Sequence, residues 1–135
     1  MALLQWTDNF SVKVKQLDDQ HKKLIEVVNS LHEAMRGGKS KEVIGGVLQQ
    51  LMNYAKEHFS SEENLLIKAA YPQMAVQKSE HQAFIKWITD VKTRFDKGDM
   101  VLGVEIMDFL QKWWTNHILK SDKGYSEHLN KRGIV

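Results

Sequence analysis

The chain contains no cysteine and only one proline. Without thiols there is no disulfide, no thiolate zinc site and no Cys-ligated iron–sulfur cluster. No run reaches the roughly 18 apolar residues of a membrane-spanning helix. The N-terminus has no basic stretch followed by an apolar one, so no secretion signal is expected. Charge of one sign is also scarce. The formal net charge is +2, and the lysines are spread rather than clustered, which argues against nucleic acid as a partner. Strand patterning is nearly missing: Ser11 to Lys15 alternates, but no second strand pattern exists to pair with it. The expectation is a cytoplasmic monomer.

What is present is helical periodicity. The 135 residues are 42% hydrophobic and 27% charged, enough for one domain over 1–135 with a real core. Residues 1–16 read as an extended arm carrying Leu3, Leu4, Val12 and Val14, with Trp6 and Phe10 as anchors. A first helix starts near Leu17 or Asp18, with Asp18 and Asp19 suited to its opening turn. Leu24, Val27, Val28, Leu31 and Met35 give its period, and Gly37-Gly38 ends it. Ser40 caps a second helix over about 41–69, striped by Val43, Val47, Leu48, Leu51, Met52, Ala55, Phe59, Leu65 and Leu66. Gly45-Gly46 in its first turns suits close helix approach. Tyr71-Pro72 breaks the pattern. A third helix over about 73–97 carries Met74, Gln77, His81, Phe84, Ile85, Ile88, Val91 and Phe95, and Gly98 ends it. A fourth, over about 100–119, carries Val101, Val104, Ile106, Met107, Leu110, Trp113, Trp114 and His117. The tail from Asp122 to Val135 is polar and reads as a short helical turn with a frayed end. Short connections make neighbours antiparallel. The class is all-α: an up-down-up-down four-helix bundle with an N-terminal arm and a short C-terminal tail.

Each helix also offers a metal-binding side chain. His58 and Glu62 are four residues apart, hence on one face of the second helix. Alone, such a pair is more often a surface hydrogen bond. His21, His81, and His117 with Asp122 supply matching groups on the other three segments. That is how a metal site in a bundle core is built. Gln77 and His81 repeat the four-residue spacing, and Gln77 is either a weak oxygen ligand or a polar residue bonded to a neighbour. His117 and Asp122 are five apart, about 140° out of phase on an unbroken α-helix. Both reach one site only if the helix ends or bulges between them. His32 lies about 16 Å further along the axis than His21 and is structural. His128 falls in the polar tail and is expected in solvent, and Glu57 and Glu63 on the surface. Imidazole with carboxylate suits iron, manganese or zinc rather than magnesium or calcium. Two carboxylates among several histidines suggest two bridged metals.

Four segments together resemble the hemerythrin family, in its single-domain bacterial form. They are Trp6 with Ser11-Val12-Lys13-Val14 and Leu17-Asp18-Asp19-Gln20-His21; His58-Phe59-Ser60-Ser61-Glu62-Glu63; Glu80-His81 with Phe84; and Trp113-Trp114-Thr115-Asn116-His117-Ile118-Leu119-Lys120-Ser121-Asp122. The resemblance implies two non-haem irons. His21 and His58 would hold the iron open to O2, His81 and His117 the second. Glu62 and Asp122 would bridge them, with an oxo or hydroxo group from solvent. Phe59, Trp113, Trp114 and Ile118 would line the O2 pocket. Two positions depart from the family pattern. Gln77 stands where a third histidine of the second iron is usual, so that iron should be weakly held, take Gln77 oxygen or water, or be partly absent. Trp114 stands where a leucine is usual, at the pocket wall.

The expected function is reversible dioxygen binding for carriage, storage or delivery, with an O2-consuming enzyme as candidate partner. The competing readings are a di-iron oxidase, peroxidase or nitric-oxide-handling enzyme, whose odds Gln77 raises, and an O2 sensor module. Ferritin-type enzymes are disfavoured, because they use Glu-x-x-His on two helices and no Glu-x-x-His occurs in this chain.

Overall fold

The computed structural model describes residues 4–38, 40–98 and 103–135. Leu3 of the arm, Val101 of the fourth helix and the capping side chain of Ser40 lie outside the described residues. Helix α1 spans Lys15–Arg36, α2 Ser40–Lys68, α3 Met74–Asp96 and α4 Gly103–Trp113. The fourth helix continues unbroken through a π-helical stretch, Trp114–Asp122, into α5, Lys123–Lys131. The result is the all-α, antiparallel four-helix bundle expected.

The core forms because each helix repeats apolar residues at three- and four-residue spacing. Leu24, Val28 and Leu31 of α1 meet Leu48, Leu51 and Ala55 of α2, Phe84 and Ile88 of α3, and Ile106 and Leu110 of α4, all buried in one cluster. The stripe is narrower than the periodicity suggests. Ile85, Phe95 and Val104 are exposed; Ile85 stands 100° around the wheel from buried Phe84. The close approach expected at the glycine pair occurs at Gly45, where a Cβ would lie 3.1 Å from the Phe95 ring, whereas Gly46 faces open space. Gly98, at φ 85°, takes the left-handed conformation just past α3, where a side chain would be strained.

The arm is tied down at both ends. Leu4 exchanges two hydrogen bonds with the Asn29 side chain of α1, at 2.8 and 2.9 Å. Asp8–Phe10 forms a single 3₁₀ turn, and Trp6 meets Phe10 edge-on at 5.9 Å. Asp18 does not cap α1, which begins earlier, at Lys15, with no side-chain cap. Its carboxylate instead accepts the Val12 N–H at 2.8 Å and the Ser11 hydroxyl at 2.6 Å. Asp19 pairs with Lys15 on the surface. Asp18→Ala should therefore lower stability by about 1.5–3 kcal/mol, the range for hydrogen bonds to a charged acceptor. An unchanged denaturant midpoint would show that the Asn29 bonds and the packing of Trp6 and Phe10 hold the arm without it.

The C-terminal tail is not frayed. Tyr125 and Leu129 are four residues apart, so they share one face of α5, and both are fully buried. They make a second cluster with Val12, Val14, Leu17, Leu66 and Ala69. His128 is not free in solvent: its Nε2 lies 2.7 Å from the Ala69 carbonyl and its ring 5.3 Å from that of Tyr71.

Candidate metal centre

His21 on α1, His58 and Glu62 on α2, Gln77 and His81 on α3, and His117 and Asp122 on the π-helical stretch are all buried. The π-helix explains the last pair. Its i→i+5 hydrogen bonding brings residues five apart onto one face, which an α-helix cannot do.

Each carboxylate presents one oxygen to each pair of imidazoles. Glu62 Oε2 lies 3.1 Å from His58 Nε2 and 3.9 Å from His21 Nε2. Glu62 Oε1 lies 2.8 Å from His81 Nε2 and 3.8 Å from His117 Nε2. Asp122 Oδ2 is 3.2 Å from His21 Nε2, and Oδ1 is 2.9 Å from His117 Nε2. Two groups of potential ligands result: His21, His58, Glu62 and Asp122, and His81, His117, Glu62 and Asp122, with the ligand atoms of each within 4.8 Å of one another.

The donor chemistry fits cations. Two fully buried carboxylates would be costly without compensating charge. Asp122 has only the imidazole nitrogens of His21 and His117 beside its oxygens, and Oε1 of Gln77 accepts no hydrogen bond among the described residues; such a buried acceptor costs about 1–3 kcal/mol unless something else satisfies it. The rings are also held in the ligating tautomer. His58 Nδ1 donates to Gln20 Oε1 at 2.6 Å, His81 Nδ1 to Glu63 Oε2 at 2.8 Å, and His117 Nδ1 to Glu80 Oε2 at 2.8 Å. In the neutral ring, a proton fixed on Nδ1 leaves Nε2 as the inward lone pair. His21 Nδ1 has no such partner among the described residues.

Three of the apolar residues expected beside the site lie against its histidine rings. Phe59 stacks on His81 with centroids 4.0 Å apart, and Trp113 stacks on His117 at the same 4.0 Å. Trp114 stands edge-on to His21 at 6.3 Å. Ile118 is fully buried in the same core. No helix among the described residues is long and apolar enough to cross a membrane.

A family model described as the hemerythrin HHE cation binding domain matches residues 12–129. The chain belongs to the hemerythrin family. A bacteriohemerythrin of Methylococcus capsulatus is 36% identical over 131 residues, 96% of this chain and 99% of that one. One of Stenotrophomonas maltophilia is 34% identical over 135 residues, 97% of this chain and 87% of the other. A solved wild-type hemerythrin matches with a TM-score of 0.85 at 36% identity, covering 95% of this chain and 98% of that chain.

Several polar residues of this hemerythrin centre do not show in helical periodicity. Glu63 was expected at the surface, yet it anchors His81. Gln20 and Glu80 each adjoin a histidine in sequence, but each bonds a ring on another helix. Tyr125, in the tail, donates its O–H to Glu62 Oε2 at 2.8 Å. Tyr54 stacks on His58 at 5.1 Å. The one available signal was composition: a Gln or Glu next to each of His21, Glu62 and His81. Glu57, expected at the surface, is there, 3.6 Å from Lys23.

Burial alone would push the His117 pKa down, but the charges of Asp122 and Glu62 outweigh it and raise it to about 10. Burial likewise favours protonated Glu62, yet the imidazoles around it, His58 first, hold it well below the ordinary range. Burial is the dominant influence on His58 and lowers its pKa. Metal-free protein near neutral pH thus carries a proton on His117 that a ligating ring cannot keep. Anaerobic loading with Fe²⁺ should release that proton, and affinity should climb with pH until about 10. Titration calorimetry in buffers of different ionisation enthalpy reads the proton directly. Loading without proton release would contradict this state of His117.

Proposed function

We propose that the chain binds dioxygen reversibly at a non-haem, carboxylate-bridged di-iron centre, for carriage, storage or delivery. The observation that carries this is the split of Glu62 and Asp122, each offering one oxygen to each imidazole pair. In this reading His21 and His58 would hold one iron and His81 and His117 the other, with Gln77 beside it, and Glu62 and Asp122 would serve both. When bound in the reduced state, the iron pair supplies the electrons that dioxygen takes up and returns.

The protein's part is to hold, orient and exclude. Gln20, Glu63 and Glu80 fix the rings; Tyr125 holds one oxygen of Glu62; Phe59, Trp113, Trp114 and Ile118 keep water out. Release is favoured over bond cleavage because acids are poor here. Tyr54 and Tyr125 are the nearby hydroxyls. Burial first, then the charges of Asp122 and Glu62, pushes both far above the usual phenol range, so neither readily gives up a proton.

The test is metal analysis joined to optical spectra of the anaerobically reduced protein before and after O2. Two irons per chain, a new spectrum with O2 and its reversal under vacuum support the carrier. Steady consumption of reductant and O2 would support the oxidase or peroxidase instead.

A further inference from the structure

We propose that Gln77 makes the two metal positions chemically unequal, so that the one at His81 and His117 favours manganese over iron more than the one at His21 and His58 does. This rests on the dinuclear reading above and adds the preferred ion at one position.

The two ligand groups otherwise match in donor type. Each has two imidazoles, and they share Glu62 and Asp122. Among buried side-chain atoms without a partner in the described residues, Gln77 Oε1 is the one acceptor-only oxygen besides those of Asp122. The indole nitrogens of Trp113 and Trp114 are donors only. Tyr54 keeps its proton and has the Trp113 indole beside it.

The orientation of Gln77 follows from its partner. Its Nε2 lies 3.0 Å from the Ser121 carbonyl. A carbonyl only accepts, so the amide nitrogen must face it and the amide oxygen must turn away. Ser121 precedes Asp122, and its hydroxyl donates to Glu80 at 2.8 Å, the same carboxylate that holds His117. Gln77 also sits one turn before His81 on α3. The amide is therefore fixed among the groups that build the His81–His117 set, with an unsatisfied, neutral, hard oxygen buried there.

Nitrogen donors favour Fe²⁺ over Mn²⁺, and oxygen donors suit manganese. One position then has two nitrogens and two carboxylates. The other has the same and an amide oxygen. The second is the harder set, and Gln77 is the difference in donor type between them.

The test equilibrates metal-free protein anaerobically with an equimolar excess of Fe²⁺ and Mn²⁺, removes free metal and counts both per chain. Electron paramagnetic resonance reports the Mn²⁺ environment. The parent should retain a several-fold higher Mn:Fe ratio than Gln77→His, which gains a nitrogen donor. Gln77→Leu, which keeps bulk but no donor, should lose metal from one position only. Equal Mn:Fe ratios in parent and Gln77→His, with two metals per chain in each, would overturn the selectivity while leaving the dinuclear reading intact. A Gln77→Leu protein with parental metal content and Mn:Fe ratio would overturn it equally. A parent that retains neither metal would remove the dinuclear reading, and this proposal with it.

Discussion

Glu62→Ala is expected to empty both metal positions, taking iron from two per chain to nearly none, whereas His58→Ala should weaken one. The difference follows from reach. Glu62 gives one oxygen to each imidazole pair, while His58 Nε2 lies 3.1 Å from that of His21 and belongs to one ligand group. The metal-free proteins should differ too. Glu62→Ala leaves the buried Tyr125 hydroxyl without its acceptor, and a stranded buried donor costs about 1–3 kcal/mol. Glu57→Ala is the control: an exposed residue one turn earlier, whose ion pair with Lys23 is worth about 0–1 kcal/mol. Metal counting and thermal unfolding on all three proteins give the answer. Equal iron in Glu62→Ala, His58→Ala and the parent would remove both residues from the centre.

Trp114→Leu should speed entry of O2 and azide several-fold, with little change in iron content. Trp114 is buried, edge-on to His21 at 6.3 Å and to Phe10 at 5.2 Å. Trp6, Phe10 and Trp114 thus form a continuous aromatic plug from the arm to His21. A packed interior has little spare volume, so the missing indole should open a passage beside His21. Trp113 offers the contrast, because its ring lies flat on His117 at the other position. The substitution should also lower stability by roughly 1–3 kcal/mol, less than truncation to alanine, because leucine refills part of the space. Autoxidation should quicken if water or anion entry limits it. Stopped-flow traces decide: identical rates in variant and parent would leave Trp114 as packing alone.

The helices and the residues of the buried polar cluster were legible because each lives within a single helix's periodicity. His58 with Glu62 and Gln77 with His81 needed only the four-residue spacing. His117 with Asp122 was harder: spacing demanded a break or bulge, and the π-helix supplies it. What periodicity could not show were contacts between helices. Glu63, read as surface, bonds His81 on the next helix, and Glu80 bonds His117. Asp18 was read as a helix cap because acids suit first turns, but it serves the arm. The tail was read as frayed from its polarity, because two buried residues, Tyr125 and Leu129, are too few to make a visible stripe.

The most direct measurement of the central claim is anomalous diffraction at the iron edge from crystals of the loaded, reduced protein. Two peaks are expected, one among His21 and His58 and one among His81 and His117, both within reach of Glu62 and Asp122. A single peak, or iron bound away from these six residues, would contradict it.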